Sequence, residues 1–75
     1  MNGTVSNVLS SKGFGFITGE NGQEYFFHMS ETLDWHTLVQ EFKTSGGGKI
    51  KVTFEPTKSP KGPRAGNIEI VEVMS

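Results

Sequence analysis

Lys12-Gly13-Phe14-Gly15-Phe16-Ile17 alternates large and minimal side chains. A strand repeats every two residues, so Lys12, Phe14 and Phe16 share one face while Gly13, Gly15 and Ile17 take the other. In Tyr25-Phe26-Phe27-His28-Met29 the same period puts Phe26 and His28 on one face and Tyr25, Phe27 and Met29 on the other. Between the two lies Gly19-Glu20-Asn21-Gly22, whose Asn-Gly pair signals a hairpin because both residues tolerate positive φ. The reading is therefore an antiparallel pair, Lys12 to Thr18 and Glu24 to Met29. With Phe14, Phe16, Phe26 and His28 on a common face, their flat rings lie side by side and Lys12 stands next to them. Exposed rings stack on bases for roughly 1–3 kcal/mol each, with little regard to base identity, and a neighbouring Lys holds a phosphate. The competing reading makes these rings core. Gly13 and Gly15 would then leave the outer face bare, a poor use of a strand.

Outward from this pair the β pattern continues. Thr4 to Leu9 reads as a first strand with Val5 inward, ragged near Leu9. Lys49 to Glu55 alternates cleanly, Ile50, Val52 and Phe54 against Lys49, Lys51 and Thr53, and Pro56 ends it for want of an N–H. Ser59-Pro60-Lys61-Gly62-Pro63 reads as a stiff exposed loop. Ala65 to Val73 is a last strand, with Ile68, Ile70 and a later valine buried. Only Ser30 to Thr44 breaks the pattern. Trp35, Leu38, Val39 and Phe42 fall at i, i+3, i+4 and i+7, one helical face, with Asp34 or Ser30 as N-cap and Gly46-Gly47-Gly48 as terminator. Two or three helical turns are expected across an end of the barrel. Five strands with a helix between the third and fourth is the order of a small, all-β, five-stranded antiparallel OB-fold barrel. It occupies residues 1–75 as one domain.

The chain has 75 residues and no cysteine, so neither a disulfide framework nor a thiolate metal site is available. A chain this short buries only about 60% of its unfolded surface, and every element must share one thin core. No apolar run approaches the roughly 20 residues that span a bilayer, and the N-terminus lacks the basic start and apolar stretch of a signal peptide. The cytoplasm is the default. Net charge is −1, yet it is divided: residues 1–42 carry one basic and five acidic residues, and residues 43–75 six basic and three acidic. A polyanion can meet a local basic surface on such a chain. The loop cations Lys58, Lys61 and Arg64 either line its path or form a solvated loop, and the planar guanidinium of Arg64 also suits stacking on a base.

At the two aromatic motifs the chain resembles bacterial cold-shock proteins. Lys12-Gly-Phe-Gly-Phe-Ile17 resembles their first RNA-binding motif, and Tyr25-Phe-Phe-His-Met29 their second, usually Val-Phe-Val-His-Phe. Gly3-Thr4-Val5 is similar to their opening, Phe42-Lys43-Thr44 to their Phe-Lys-Thr, and Lys51 to Glu55 and Lys61 to Ile68 to their last two strands. The resemblance covers nearly the whole chain. It implies an OB-type barrel that binds single-stranded RNA or DNA and melts weak secondary structure, as an RNA chaperone or antiterminator. It also implies contacts from Lys12, Phe14, Phe16, Phe26, His28 and Phe42.

The chain departs from that family in its first strand, where the usual Lys-Trp-Phe-Asn is Ser6, Asn7, Val8 and Leu9, and in Met29, which replaces a Phe. The segment from His28 to Phe42 is also longer than usual. It holds the only tryptophan, Trp35, which either moves to the platform in place of the missing ring or packs the helix onto the barrel. Val8, Leu9 and Met29 would make the patch greasier, and exposed rings also serve protein interfaces. The alternative function is therefore a barrel that uses this face for a protein partner or a homodimer. Catalysis has little to draw on. His28, Ser30 and Asp34 leave a strand in a way that does not readily converge. His28 and His36 with Glu31 lack a regular ligand spacing, and Gly46 to Lys49 lacks the first glycine and the Ser/Thr of a phosphate loop. No cofactor, no metal and no enzymatic activity are expected.

Overall fold

The computed structural model describes residues 1–46 and 48–73. Five strands, β1 (Asn2–Leu9), β2 (Phe14–Gly19), β3 (Glu24–His28), β4 (Ile50–Ser59) and β5 (Gly62–Val73), form a closed barrel in the order β1-β2-β3-β5-β4. β4 pairs back onto β1 through Asn2↔Thr53, Gly3↔Val52 and Thr4↔Lys51. One helix, α1 (Trp35–Ser45), stands between β3 and β4, after a single 3₁₀ turn at Met29–Glu31. The barrel and the position of its helix are those expected.

The seams are not all antiparallel. β3 and β5 run parallel and meet at Phe26↔Arg64. The reason is parity. Strands that alternate in direction around a ring of five cannot alternate at every seam, so one seam must join strands of the same sense. Two further corrections concern β4. It continues through Pro56 to Ser59, and the expected loop shrinks to Pro60 and Lys61 at the tip of a long β4–β5 hairpin paired from Ser59↔Gly62 onward. The N-terminal segment covers β4 only as far as Phe54, which exchanges backbone hydrogen bonds with Met1, so Pro56 lies where one edge is open and a missing N–H breaks no ladder on that side. At the tip, Ser59 Oγ donates to the Gly62 carbonyl (3.0 Å) and accepts from Lys61 N–H (3.3 Å). In the β2–β3 turn only Gly22 of the Asn-Gly pair has positive φ, while Asn21 Oδ1 accepts the Gln23 N–H instead.

The interior is the inward period of the strands plus one helix face. Val5, Ile17, Phe27, Leu38, Ile50 and Val52 are fully buried, and Phe54, Tyr25, Trp35, Ala65 and Ile68 join them. On α1, Trp35 and Leu38 are buried while Val39 and Phe42 pack partly against the same core, as the i, i+3, i+4, i+7 spacing requires. Asp34 occupies the N-cap position through its carbonyl, which accepts from Leu38 N–H, with no side-chain cap. The Gly46 N–H closes the other end on the Phe42 carbonyl. Ile70 and Val73 pack partly on the core, and Val71 points out. No helix among the described residues is long and apolar enough to cross a membrane.

Candidate nucleic-acid interface

The β2–β3 register, Phe14↔His28, Gly15↔Phe27, Phe16↔Phe26 and Ile17↔Tyr25, sorts the aromatics into two sets. Tyr25 and Phe27 are buried, whereas Phe14, Phe16 and Phe26 are half-buried on the outer face. Gly15 is what permits this. An added Cβ there would stand 2.8 Å from the Phe27 ring and 2.6 Å from the Asn7 carbonyl oxygen. The Phe27 ring occupies the volume that a side chain at Gly15 would need, so the core is filled from β3 and the rings of β2 are free to face out.

The three outer rings form one cluster. Phe14 and Phe26 lie 5.3 Å apart at 38°, Phe16 and Phe26 5.9 Å at 71°, and Phe14 and Phe16 6.0 Å at 90°. These are edge-to-face and tilted contacts that hold each ring in place and leave faces open. His28, opposite Phe14, is exposed. Its Nδ1 accepts from the Ser30 N–H at 3.2 Å and lies 3.0 Å from Ser30 Oγ. The backbone bond consumes the Nδ1 lone pair, so the proton of the neutral ring is on Nε2. The 3₁₀ turn thus orients the histidine.

Cations border the cluster. The Arg64 guanidinium lies over Phe26, with Cζ 5.5 Å from the ring centroid. A hollow of about 430 Å³ opens beside it, walled by Phe16 and Phe26 on one side and by Lys61, Pro63 and Arg64 on the other. Lys12 is exposed but does not belong to β2, which begins at Phe14. It sits in the turn after β1, where its N–H and that of Gly13 both donate to the Leu9 carbonyl. The Met29 N–H donates to the Gly13 carbonyl (2.9 Å), which ties that turn to the end of β3 beside His28. Lys12 therefore stays near the platform by way of the turn, not by strand alternation. Glu24, opposite Thr18, closes the far end of the same face.

Two expected members fall elsewhere. Trp35 is buried (8% exposed), with its ring 6.1 Å from Phe27 at 71°, so it fills the core and does not replace a platform ring. The helix needs its largest apolar side chain against the barrel, and that demand wins. Phe42 packs half-buried on the core from α1 and shares in none of the ring contacts that join Phe14, Phe16 and Phe26.

The first strand holds what the alternating pattern could not show. Its register on β2 shifts between Val5↔Ile17 and Asn7↔Phe16, a bulge at Ser6. The extra residue turns every later side chain over. Val8 is buried opposite Gly15 instead of joining the outer patch, while Asn7 stands opposite Phe16 and Leu9 opposite Phe14. Ser6 Oγ is buried without a hydrogen bond among the described residues. Met29 is 42% exposed and its Sδ lies against Gly13. Among the described residues no group of three or more His, Asp or Glu could hold a metal ion.

The sequence model of the 'Cold-shock' DNA-binding domain matches residues 1–71. Cold shock protein 1 of Lactiplantibacillus plantarum is 43% identical over 67 residues, covering 89% of this chain and 92% of the relative. The cold shock-like protein of Thermotoga maritima is 38% identical over 73 residues, 96% of this chain and all of the relative. The major cold shock protein of Streptococcus pyogenes is 42% identical over 66 residues, 88% of this chain and 90% of the relative. With a family match across almost its whole length and a closed barrel that carries the family's aromatic motifs on adjacent strands, the chain belongs to the cold-shock DNA-binding domain family.

Proposed function

We propose that this protein binds single-stranded RNA or DNA in the cytoplasm by stacking bases on Phe14, Phe16 and Phe26. His28 contributes at one edge, and Lys12, Lys61 and Arg64 meet the phosphates. The single observation that supports this most is the contiguous cluster of three half-buried rings on the outer face of β2 and β3, bordered by cations. Stacking on such rings is tolerant of sequence, which suits an RNA chaperone or antiterminator that holds strands open without choosing them tightly.

The test is titration with short oligothymidine and oligouridine at two salt concentrations, followed by backbone NMR. Shifts concentrated on Phe14, Phe16, Phe26, His28 and Arg64, with weaker binding at higher salt, support the proposal. Shifts that depend on protein concentration alone, without response to oligonucleotide, would overturn it in favour of a second copy on the same face.

A further inference from the structure

Met29 is the first residue beyond β3. It is 42% exposed, so a small oxidant in solution reaches it. Its thioether is nonetheless in contact: Sδ lies 2.9 Å and Cγ 3.6 Å from the point that a Cβ on Gly13 would occupy. Gly13 has a φ of 74° and no side chain to compete for that space. The Met29 N–H donates to the Gly13 carbonyl at 2.9 Å. One residue therefore holds the turn of residues 10–13 by its backbone and by its side chain, and that turn carries Lys12.

We infer that Met29 is a modification site: oxidation of its thioether to the sulfoxide by a peroxide releases the turn and withdraws Lys12 from the platform. The consequence for binding rests on the function proposed above and goes beyond it. The chemistry is a two-electron oxygen transfer. A sulfur lone pair attacks one oxygen of hydrogen peroxide, and the S–O bond forms as the O–O bond breaks. The proton on the transferred oxygen passes to the departing hydroxide, which leaves as water. Sulfur is oxidised and the peroxide reduced. A thioether is apolar and pliant, whereas its sulfoxide is polar and chiral. The N–H groups of Lys12 and Gly13 both donate to the Leu9 carbonyl, so neither is free to meet the new oxygen. Held against Gly13 that oxygen would lose water without gaining a partner, and it turns out to solvent instead. The sulfur then leaves Gly13, and of Met29 only the backbone bond still ties the turn to the end of β3. Met1 has its sulfur against Gly19, at the other end of β2, so its oxidation does not reach the turn.

The experiment treats the intact protein with hydrogen peroxide in steps, and mass spectrometry of its peptides follows Met1, Met29 and Met74 separately. Backbone NMR reads the amides of Lys12 and Gly13, and anisotropy with oligothymidine over a salt series reads binding. Oxidation of Met29 is expected to shift both amides and to weaken binding. It should also lower the slope of log affinity against log salt by about 0.7, the loss of one phosphate contact on a single strand. Methionine sulfoxide reductases restore the thioether and should reverse all three changes. Met29→Leu keeps an apolar side chain of similar volume. It should bind as the native chain does and keep its affinity in peroxide, although Met1 and Met74 remain in it. Three results would overturn the inference and leave the binding function standing: Met29 untouched while Met1 is converted, oxidised Met29 with both amides unmoved, or an affinity that falls equally in Met29→Leu. Failure of the unoxidised chain to bind oligothymidine would remove the proposed function, and with it the effect inferred for Lys12.

Discussion

Phe26 and Arg64 are Cα partners across the parallel β3–β5 seam, and the Arg64 guanidinium lies over the Phe26 ring with Cζ 5.5 Å from its centroid. The seam that closes the barrel thereby sets a cation onto the aromatic platform. A cation over a ring face is worth about 0.5–1 kcal/mol at an exposed site. That is weak enough for a base to displace it and strong enough to hold the side chain at the platform beforehand.

Arg64→Ala should weaken oligonucleotide binding and make it less sensitive to salt. Loss of one phosphate contact lowers the slope of log affinity against log salt by about 0.7 for a single strand. Arg64→Lys should restore the slope but not the full affinity, because the ammonium lacks the planar guanidinium face. Fluorescence anisotropy over a series of salt concentrations reads both.

Phe16→Ala and Phe26→Ala should each cost about 1–3 kcal/mol in binding free energy. Circular dichroism of the variants reports whether the barrel stays folded. An affinity unchanged in both variants would place the bound strand elsewhere.

Asn7→Trp should tighten binding by about 1–3 kcal/mol for oligothymidine, because it adds a ring opposite Phe16. A titration with oligothymidine, beside the native chain, measures the gain.

Trp35 is the only tryptophan, and its burial against Phe27 makes it a reporter of the core. Its emission should be that of a shielded indole and should change little on addition of oligonucleotide. Strong quenching would show that Trp35 meets the bases. Trp35→Ala should cost about 3–5 kcal/mol of stability, read by urea unfolding.

Gly15→Ala should destabilise the fold by about 1–3 kcal/mol, the usual cost of overpacking, because the new methyl would meet the Phe27 ring and the Asn7 carbonyl together. Neither is the loose end of a flexible chain. Urea unfolding of the variant beside the native chain checks it.

What the sequence by itself determined was the facing of residues inside the strands and the helix; Lys12 and Met29, which the same alternation had included, lie beyond the ends of β2 and β3 and do not follow it. Alternation in Phe14 to Ile17 and Tyr25 to His28 assigned the faces of Phe14, Phe16, Phe26 and Phe27 correctly, because side-chain direction within a strand depends only on position. The same holds for Ile50, Val52 and Phe54 on β4 and for the Trp35, Leu38, Val39, Phe42 stripe on α1. What only the tertiary structure decided was everything that required a partner. The parallel seam follows from closing an odd ring, which no single segment contains. Pro56 remains in β4 because the N-terminal segment stops covering that edge at Phe54. Trp35 had two destinations compatible with its place on the helix, and the space beside Phe27 chose between them. The bulge at Ser6 is a mismatch between two strands, so no pattern within β1 could announce it, and it alone turned Val8 inward and Asn7 out beside Phe16.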